Sequence, residues 1–135
     1  MNLLLDTHVL LWALTEDARL SEKARAMILD PENTVYYSAV SVWEVSIKHT
    51  NHPENVQFTG RELAGFCEEA GFLPVEMRIR HVYALETLER EEEAPPHHDP
   101  FDRMLIHLAI RKNLVMLSRD HNFPLYEEDG LQLAW

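Results

Sequence analysis

Four acidic residues stand where apolar segments end or helical patterns begin. They are Asp6 after Leu3-Leu4-Leu5, Glu44 in Ser41-Val42-Trp43-Glu44, Asp102 in Asp99-Pro100-Phe101-Asp102-Arg103, and Asp120 in Leu117-Ser118-Arg119-Asp120. A parallel α/β sheet gathers its strand ends along one edge, where such folds place ligands. Carboxylates brought together there repel one another unless a hard divalent cation sits among them, and Mg²⁺ or Mn²⁺ is the usual partner of an all-oxygen donor set. The chemistry this predicts is metal-assisted hydrolysis of a phosphodiester.

Each acid also has a plainer role open to it. Asp6 suits the N-cap of a helix starting near Thr7–His8. Glu44 can form an exposed i,i+4 ion pair with Lys48. Asp99 is a good N-cap with Pro100 at the first helical position, and Asp102 at N3 can complete a capping box. Asp102 in the first turn is expected to stay ionised, because the helix dipole favours negative charge there. Arg103 can pair with Asp99 or meet a substrate phosphate, the ion pair being the simpler reading. Asp120 in Ser-Arg-Asp-His-Asn can be a turn residue, and Ser118 can donate to a carboxylate or to a scissile phosphate.

The elements that must position these residues follow from periodicity. Asn2–Leu5 reads as a short buried strand, followed by a helix through Val9, Leu10, Ala13 and Leu14. Ser21 opens a second helix with Ala24, Met27 and Ile28 on one face, and residues 30–33 form a turn. Thr34–Tyr37 is β-branched and aromatic, hence a second strand. The next helix carries Val40, Trp43 and Ile47 as an expected inward-facing stripe. After a loop over residues 51–58, Thr59-Gly60-Arg61-Glu62 is a capping-box pattern whose helix should stop at Gly71. Phe72–Val75 is an edge or irregular strand because of Pro74. Residues 78–88 read as a helix with Ile79, Val82, Tyr83 and Leu85 apolar, ended by acidic residues and Pro95-Pro96. Residues 100–112 give the clearest helix, with Phe101, Met104, Leu105, Leu108 and Ala109 on one face. Leu114–Leu117 is a buried strand, and Leu131–Leu133 a final one. Strands alternating with helices predict βαβ crossovers and a mainly parallel sheet covered on both sides.

Composition sets the limits. A chain of 135 residues, 46% hydrophobic and 26% charged, is sized for one globular domain spanning residues 1–135. Cys67 is the only cysteine, so no internal disulfide forms, and a buried small hydrophobe is its expected role. The apolar start is broken by Asp6, Thr7 and His8, which argues against a signal peptide or a membrane span and for a cytoplasmic protein. The net charge of −11 runs against tight, non-specific nucleic-acid binding and favours a basic protein partner. Part of that charge is the run Glu89, Glu91, Glu92 and Glu93, read as a solvated linker. Eight histidines invite a zinc reading, but adjacent His97 and His98 point differently and no His pair has a matching Cys or Glu at zinc-site spacing. Phosphate binding by a glycine-rich loop is absent from the pattern. Trp12, Trp43 and Trp135 read as core or interface residues.

Taken together, Leu3-Leu4-Leu5-Asp6-Thr7-His8-Val9-Leu10-Leu11-Trp12, Ser38–Lys48, His97-His98-Asp99-Pro100-Phe101-Asp102-Arg103-Met104-Leu105 and Leu117-Ser118-Arg119-Asp120 resemble the PIN (PilT N-terminus) domain family, particularly its VapC-like toxin ribonucleases. The resemblance implies an α/β/α sandwich around a mainly parallel sheet, with Asp6, Glu44, Asp102 and Asp120 binding Mg²⁺ or Mn²⁺. It further implies cleavage of single-stranded RNA, a homodimer, and silencing by a cognate antitoxin. Two departures stand out: His98 abuts Asp99 where relatives often carry one more, basic residue, and the Glu89–Glu93 run is unusually acidic. On this reading Asp6, Glu44 and Asp102 hold the principal ion, Asp120 binds a second ion or orients water, and Lys48 or Arg103 steadies transition-state charge. Two other readings remain: a catalytically degenerate domain that binds RNA or protein, and a phosphatase with Asp6 as nucleophile. The phosphatase would want a second aspartate where the chain has His8.

Overall fold

The computed structural model describes residues 1–87 and 99–135. The acidic residues Glu89–Glu93, Pro95-Pro96 and His97-His98 lie outside the described residues.

Five strands form one sheet: β1 (Asn2–Leu5), β2 (Thr34–Ser38), β3 (Leu73–Val75), β4 (Val115–Leu117) and β5 (Gln132–Ala134). Their order is β3-β2-β1-β4-β5 and every pairing is parallel. Leu3 lies opposite Val35 on one side and Val115 on the other, so β1 is the central strand. Leu3, Leu4 and Leu5 are fully buried. A strand enclosed on both faces needs such an unbroken apolar run, and burying each leucine contributes about 1.5–3 kcal/mol.

Parallel strands require crossovers, supplied here by α1 (Thr7–Leu14), α2 (Glu22–Leu29), α3 (Ala39–Asn51), α4 (Gly60–Glu69), α5 (Ile79–Ala84) and α6 (Pro100–Arg111). Side chains alternate across the sheet. Leu3, Leu5, Val35, Tyr37 and Leu117 pack on one face with Val9 and Leu10 of α1, Ala24 of α2, and Leu63 and Cys67 of α4. Leu4 and Met116 point to the other face, against Met104, Leu105 and Leu108 of α6. The result is the expected three-layer α/β/α sandwich. Cys67 is fully buried, and burial pushes its thiol up to about 12.

Local signals account for most helix ends. Thr59 and Glu62 form the reciprocal capping box, with bonds of 3.1 Å in both directions. Gly71, at φ +81°, takes the left-handed conformation that closes α4. The edge strand β3 tolerates Pro74 because no strand among the described residues pairs on its outer side. Residues 78–88 were expected as one helix; α5 ends at Ala84, and Leu85–Thr87 continues as a 3-10 turn.

The inward stripe expected on α3 is not the one formed. Trp43 and Ile47 are 49% and 37% exposed, whereas Val40, Ser41, Glu44 and Val45 are buried. The helix is turned by contacts hydrophobicity does not report: Ser41 Oγ bonds Thr7 Oγ1 at 2.8 Å, and Gly60 of α4 comes up against Ser46 and Val42. Trp43 instead packs edge-on to Phe101 at 4.8 Å between ring centroids. Among the described residues, no helix is long and apolar enough to cross a membrane.

Candidate active site

The chain runs from β1 outward to β2 and β3, then returns to the other side of β1 as β4 and β5. The order therefore reverses between β1 and β4, and the crevice beyond their carboxyl ends is where an open α/β sheet binds ligands. Asp6 follows β1 directly, its backbone N–H donating to Leu117 O at 3.2 Å. Ser118 and Asp120 follow β4. Glu44 lies in the second turn of α3, which starts straight after β2, and Asp102 lies in the first turn of α6.

Asp6 takes the capping role foreseen for it, and its second oxygen is turned toward β4. It is 4% exposed, and Oδ1 caps α1 by accepting the N–H groups of His8 (2.8 Å) and Val9 (3.2 Å). Oδ2 accepts a short hydrogen bond from Ser118 Oγ. Burial raises the Asp6 pKa, and the Ser118 bond leads the effects opposing that rise. Ser118 Oγ in turn accepts the Asp120 N–H at 3.0 Å, so one hydroxyl joins the ends of β1 and β4. Asp120 Oδ1 accepts the Asn122 N–H at 2.8 Å, the local turn its sequence context suggested.

Glu44 is only 3% exposed; its Oε2 pairs with Lys48 Nζ, while its Oε1 is buried with no hydrogen-bond partner among the described residues. The exposed surface pair considered for Glu44 is thus a buried carboxylate held by a half-exposed lysine. Asp99 caps α6 through Oδ1, which accepts from Phe101 and Asp102.

Asp102 departs from expectation. Burial first, then the charges of Asp99, Asp120, Asp6 and Glu44, push its carboxyl up to about 8. The helix dipole, worth about 0.3–1 kcal/mol at most exposed sites, is outweighed, and Asp102 holds its proton at neutral pH instead of being ionised. The same electrostatics mean that Asp6, Glu44 and Asp120 all lie within range of Asp102. Among the described residues, no three carboxylates or imidazoles close on a single point at metal-ligand distance. The Asp6 oxygens are occupied by the cap and Ser118, and one Glu44 oxygen by Lys48. The donor set still suits a hard cation. It is all carboxylate, it includes the unpartnered Glu44 Oε1, and like charges at close range need a counterion.

The PIN domain profile matches residues 3–128. The chain belongs to the PIN domain family. This PIN domain is similar in fold to VapBC2 from Rickettsia felis bound to a DNA fragment from their promoter, with a TM-score of 0.72 at 15% identity over 99% of this chain and 98% of that one. It is also similar to VapBC-1 from nontypeable Haemophilus influenzae (TM-score 0.64, 14% identity, 99% and 97% covered). A third likeness is to FitAcB from Neisseria gonorrhoeae (0.53, 20%, 97% and 95%). No curated protein matches the chain.

The PIN domain places other polar residues beside the acids. A cleft of about 380 Å³ is lined by Asp6, His8, Trp12, Arg119, Asp120 and His121. Arg119 lies over the Trp12 ring at 4.5 Å and Arg19 approaches the same ring at 5.2 Å. Neither arginine stood out in the sequence. Position next to Asp120 was the only signal for Arg119, and the stacking partner Trp12 read simply as core. Arg103 does not form the ion pair foreseen with Asp99. It sends a guanidinium nitrogen to Leu85 O at 3.4 Å, and the two residues are not among the ion pairs of the described residues.

Proposed function

We propose that this PIN domain is a divalent-metal-dependent endoribonuclease cleaving single-stranded RNA, and the toxin of a toxin–antitoxin pair. The observation that carries the reading is electrostatic: burial and then the charges of Asp99, Asp120, Asp6 and Glu44 bring the Asp102 carboxyl to about 8, so acids from separate segments gather around it. Such a cluster is costly unless a cation resolves it.

Asp6, Glu44, Asp102 and Asp120 would hold Mg²⁺ or Mn²⁺. When bound, the ion supplies Lewis acidity toward a phosphate oxygen and acidifies a water. The chain's own residues supply the frame. Ser118 fixes the rotamer of Asp6 and ties it to the Asp120 backbone. Lys48 holds Glu44 in place and, with Arg103, supplies positive charge for a phosphoryl transition state. Asp99 positions Asp102 by capping the helix that bears it.

The structural likenesses include VapBC and FitAB assemblies, and a chain of net charge −11 suits a basic antitoxin segment. Exposed Trp43, Ile79, Val82 and Tyr83 offer an apolar surface for a homodimer. On this reading the protein works in the cytoplasm, where its RNA substrate would be found. The test is cleavage of a mixed single-stranded RNA pool with Mn²⁺ or Mg²⁺, alongside Asp6→Asn. Cleavage should need the metal and vanish in the variant. Folded protein that cuts no RNA with metal present would instead favour a domain that only binds.

A further inference from the structure

At the end of α6 remote from Asp102, about 14 Å along the helix at 1.5 Å per residue, the charge changes sign. Arg80, His81, Ala84, His107, Arg111 and Lys112 line a cleft of about 330 Å³ with no carboxylate on its walls among the described residues. It lies beside the segment entering β4, on the edge of the sheet opposite the acids. In a chain of net charge −11, composition alone does not produce such a pocket. Arg80, Arg111 and Lys112 form no ion pair among the described residues.

The histidines make it more than a patch of surface cations. His81 and His107 are 3% and 5% exposed, with ring centroids 5.9 Å apart. His81 Nδ1 accepts the Arg78 N–H at 2.8 Å, so the neutral ring carries its proton on Nε2 as a donor. Burial first, then neighbouring cations, hold both imidazoles below the usual histidine range. His107 Nε2 is buried with no hydrogen-bond partner among the described residues. Buried polar atoms are almost always partnered, and an unpartnered one on a residue that lines a cleft of two arginines and a lysine points to a ligand.

We propose that this cleft binds a small phosphate dianion, free or as a monoester. Arg80 and Arg111 offer the planar forks that grip phosphate oxygens in pairs, Lys112 adds a point charge, and the imidazoles add ring hydrogen bonds. A volume of about 330 Å³ is at the lower end of small-molecule sites. It suits inorganic phosphate or a nucleoside monophosphate better than an extended polymer. The site is independent of the metal and of RNA cleavage.

The test is NMR of the histidine ring resonances in the full chain with EDTA, titrated with inorganic phosphate and separately with AMP. His81 and His107 should shift saturably while His8 and His121 stay put. Arg80→Gln with Arg111→Gln should weaken binding at least about tenfold, as loss of charge-assisted bonds requires. Lys112→Gln, a single change on an exposed side chain, should weaken it too and guards against poor folding of the double variant. Asp6→Asn should bind as the wild type does. Tighter binding of AMP would identify a nucleotide, and equal binding free phosphate. Shifts that never saturate, that persist in the double variant, or that appear only with an RNA oligonucleotide would overturn the proposal.

Discussion

Replacing Asp102 with asparagine should stabilise the metal-free protein, and by an amount that depends on pH. The wild-type carboxyl titrates near 8 in the folded state against 3.8 ordinarily. Folding therefore binds a proton between these values. Stability is greatest below the ordinary aspartate range, falls as pH rises, and is lowest above about 8, where both states are ionised. Each pH unit in that window is worth about 1.4 kcal/mol, an upper bound near 6 kcal/mol. The carboxyl is only partly buried, so solvent screening leaves on the order of 2 kcal/mol. Asp102→Asn removes the titration while keeping the shape. In EDTA it should melt roughly 6–10 °C above wild type at pH 8, with the gap shrinking toward zero near pH 4. Mn²⁺ should then raise the wild-type melting temperature more than the variant's. A gap that does not change with pH would refute the account of the acid cluster, and so would a variant less stable than wild type at pH 8.

Three further substitutions probe the frame. Ser118→Ala strips partners from Asp6 Oδ2 and the Asp120 N–H and should cost about 1–3 kcal/mol in urea denaturation; an unchanged midpoint would mean water replaces the hydroxyl. Lys48→Ala leaves a buried carboxylate uncompensated. It should cost about 2 kcal/mol, below the roughly 3–5 kcal/mol of fully buried broken pairs because the lysine is half exposed, and should enlarge the stabilisation by Mn²⁺, since nothing competes for Glu44. Gly60→Ala puts a Cβ 2.0 Å from Ser46 Oγ and 2.8 Å from Val42 O; a loss of about 1–3 kcal/mol in thermal melts is expected, partly recovered by adding Ser46→Ala.

Much of the fold was legible because each strand and helix advertises itself locally. Leu3–Leu5 could only be an enclosed strand, and Thr59 with Glu62 could only start a helix. The alternation of the two then left few ways to build a sheet. The gathering of acids around Asp102 was legible for a related reason, since strand ends meet at the edge of a parallel sheet. Side-chain orientation was harder to read. On α3 the bulky Trp43 and Ile47 outweighed Ser41 in any hydrophobic count, yet Ser41 and Glu44 face inward, where Thr7 and Lys48 give them partners and Gly60 lets Val42 and Ser46 close on α4. Charge state was the least legible property. A first-turn aspartate is ordinarily favoured by its helix, and only the assembled fold reveals four other acids around it. Arg119 went unnoticed because its partner, the Trp12 face, comes from over a hundred residues away in the chain.

Asp6 starts α1 with the same carboxylate that faces the crevice. Folding and chemistry are thus under joint selection at that position, where a lineage drifting to alanine would surrender a helix start as well as a charge, about 1 kcal/mol of it from the lost cap. Asparagine would be the gentler exit, keeping the cap and discarding the anion. Asp120, whose carboxylate closes only a local turn, carries the lighter structural burden, so decayed descendants of this chain should have lost Asp120 before Asp6.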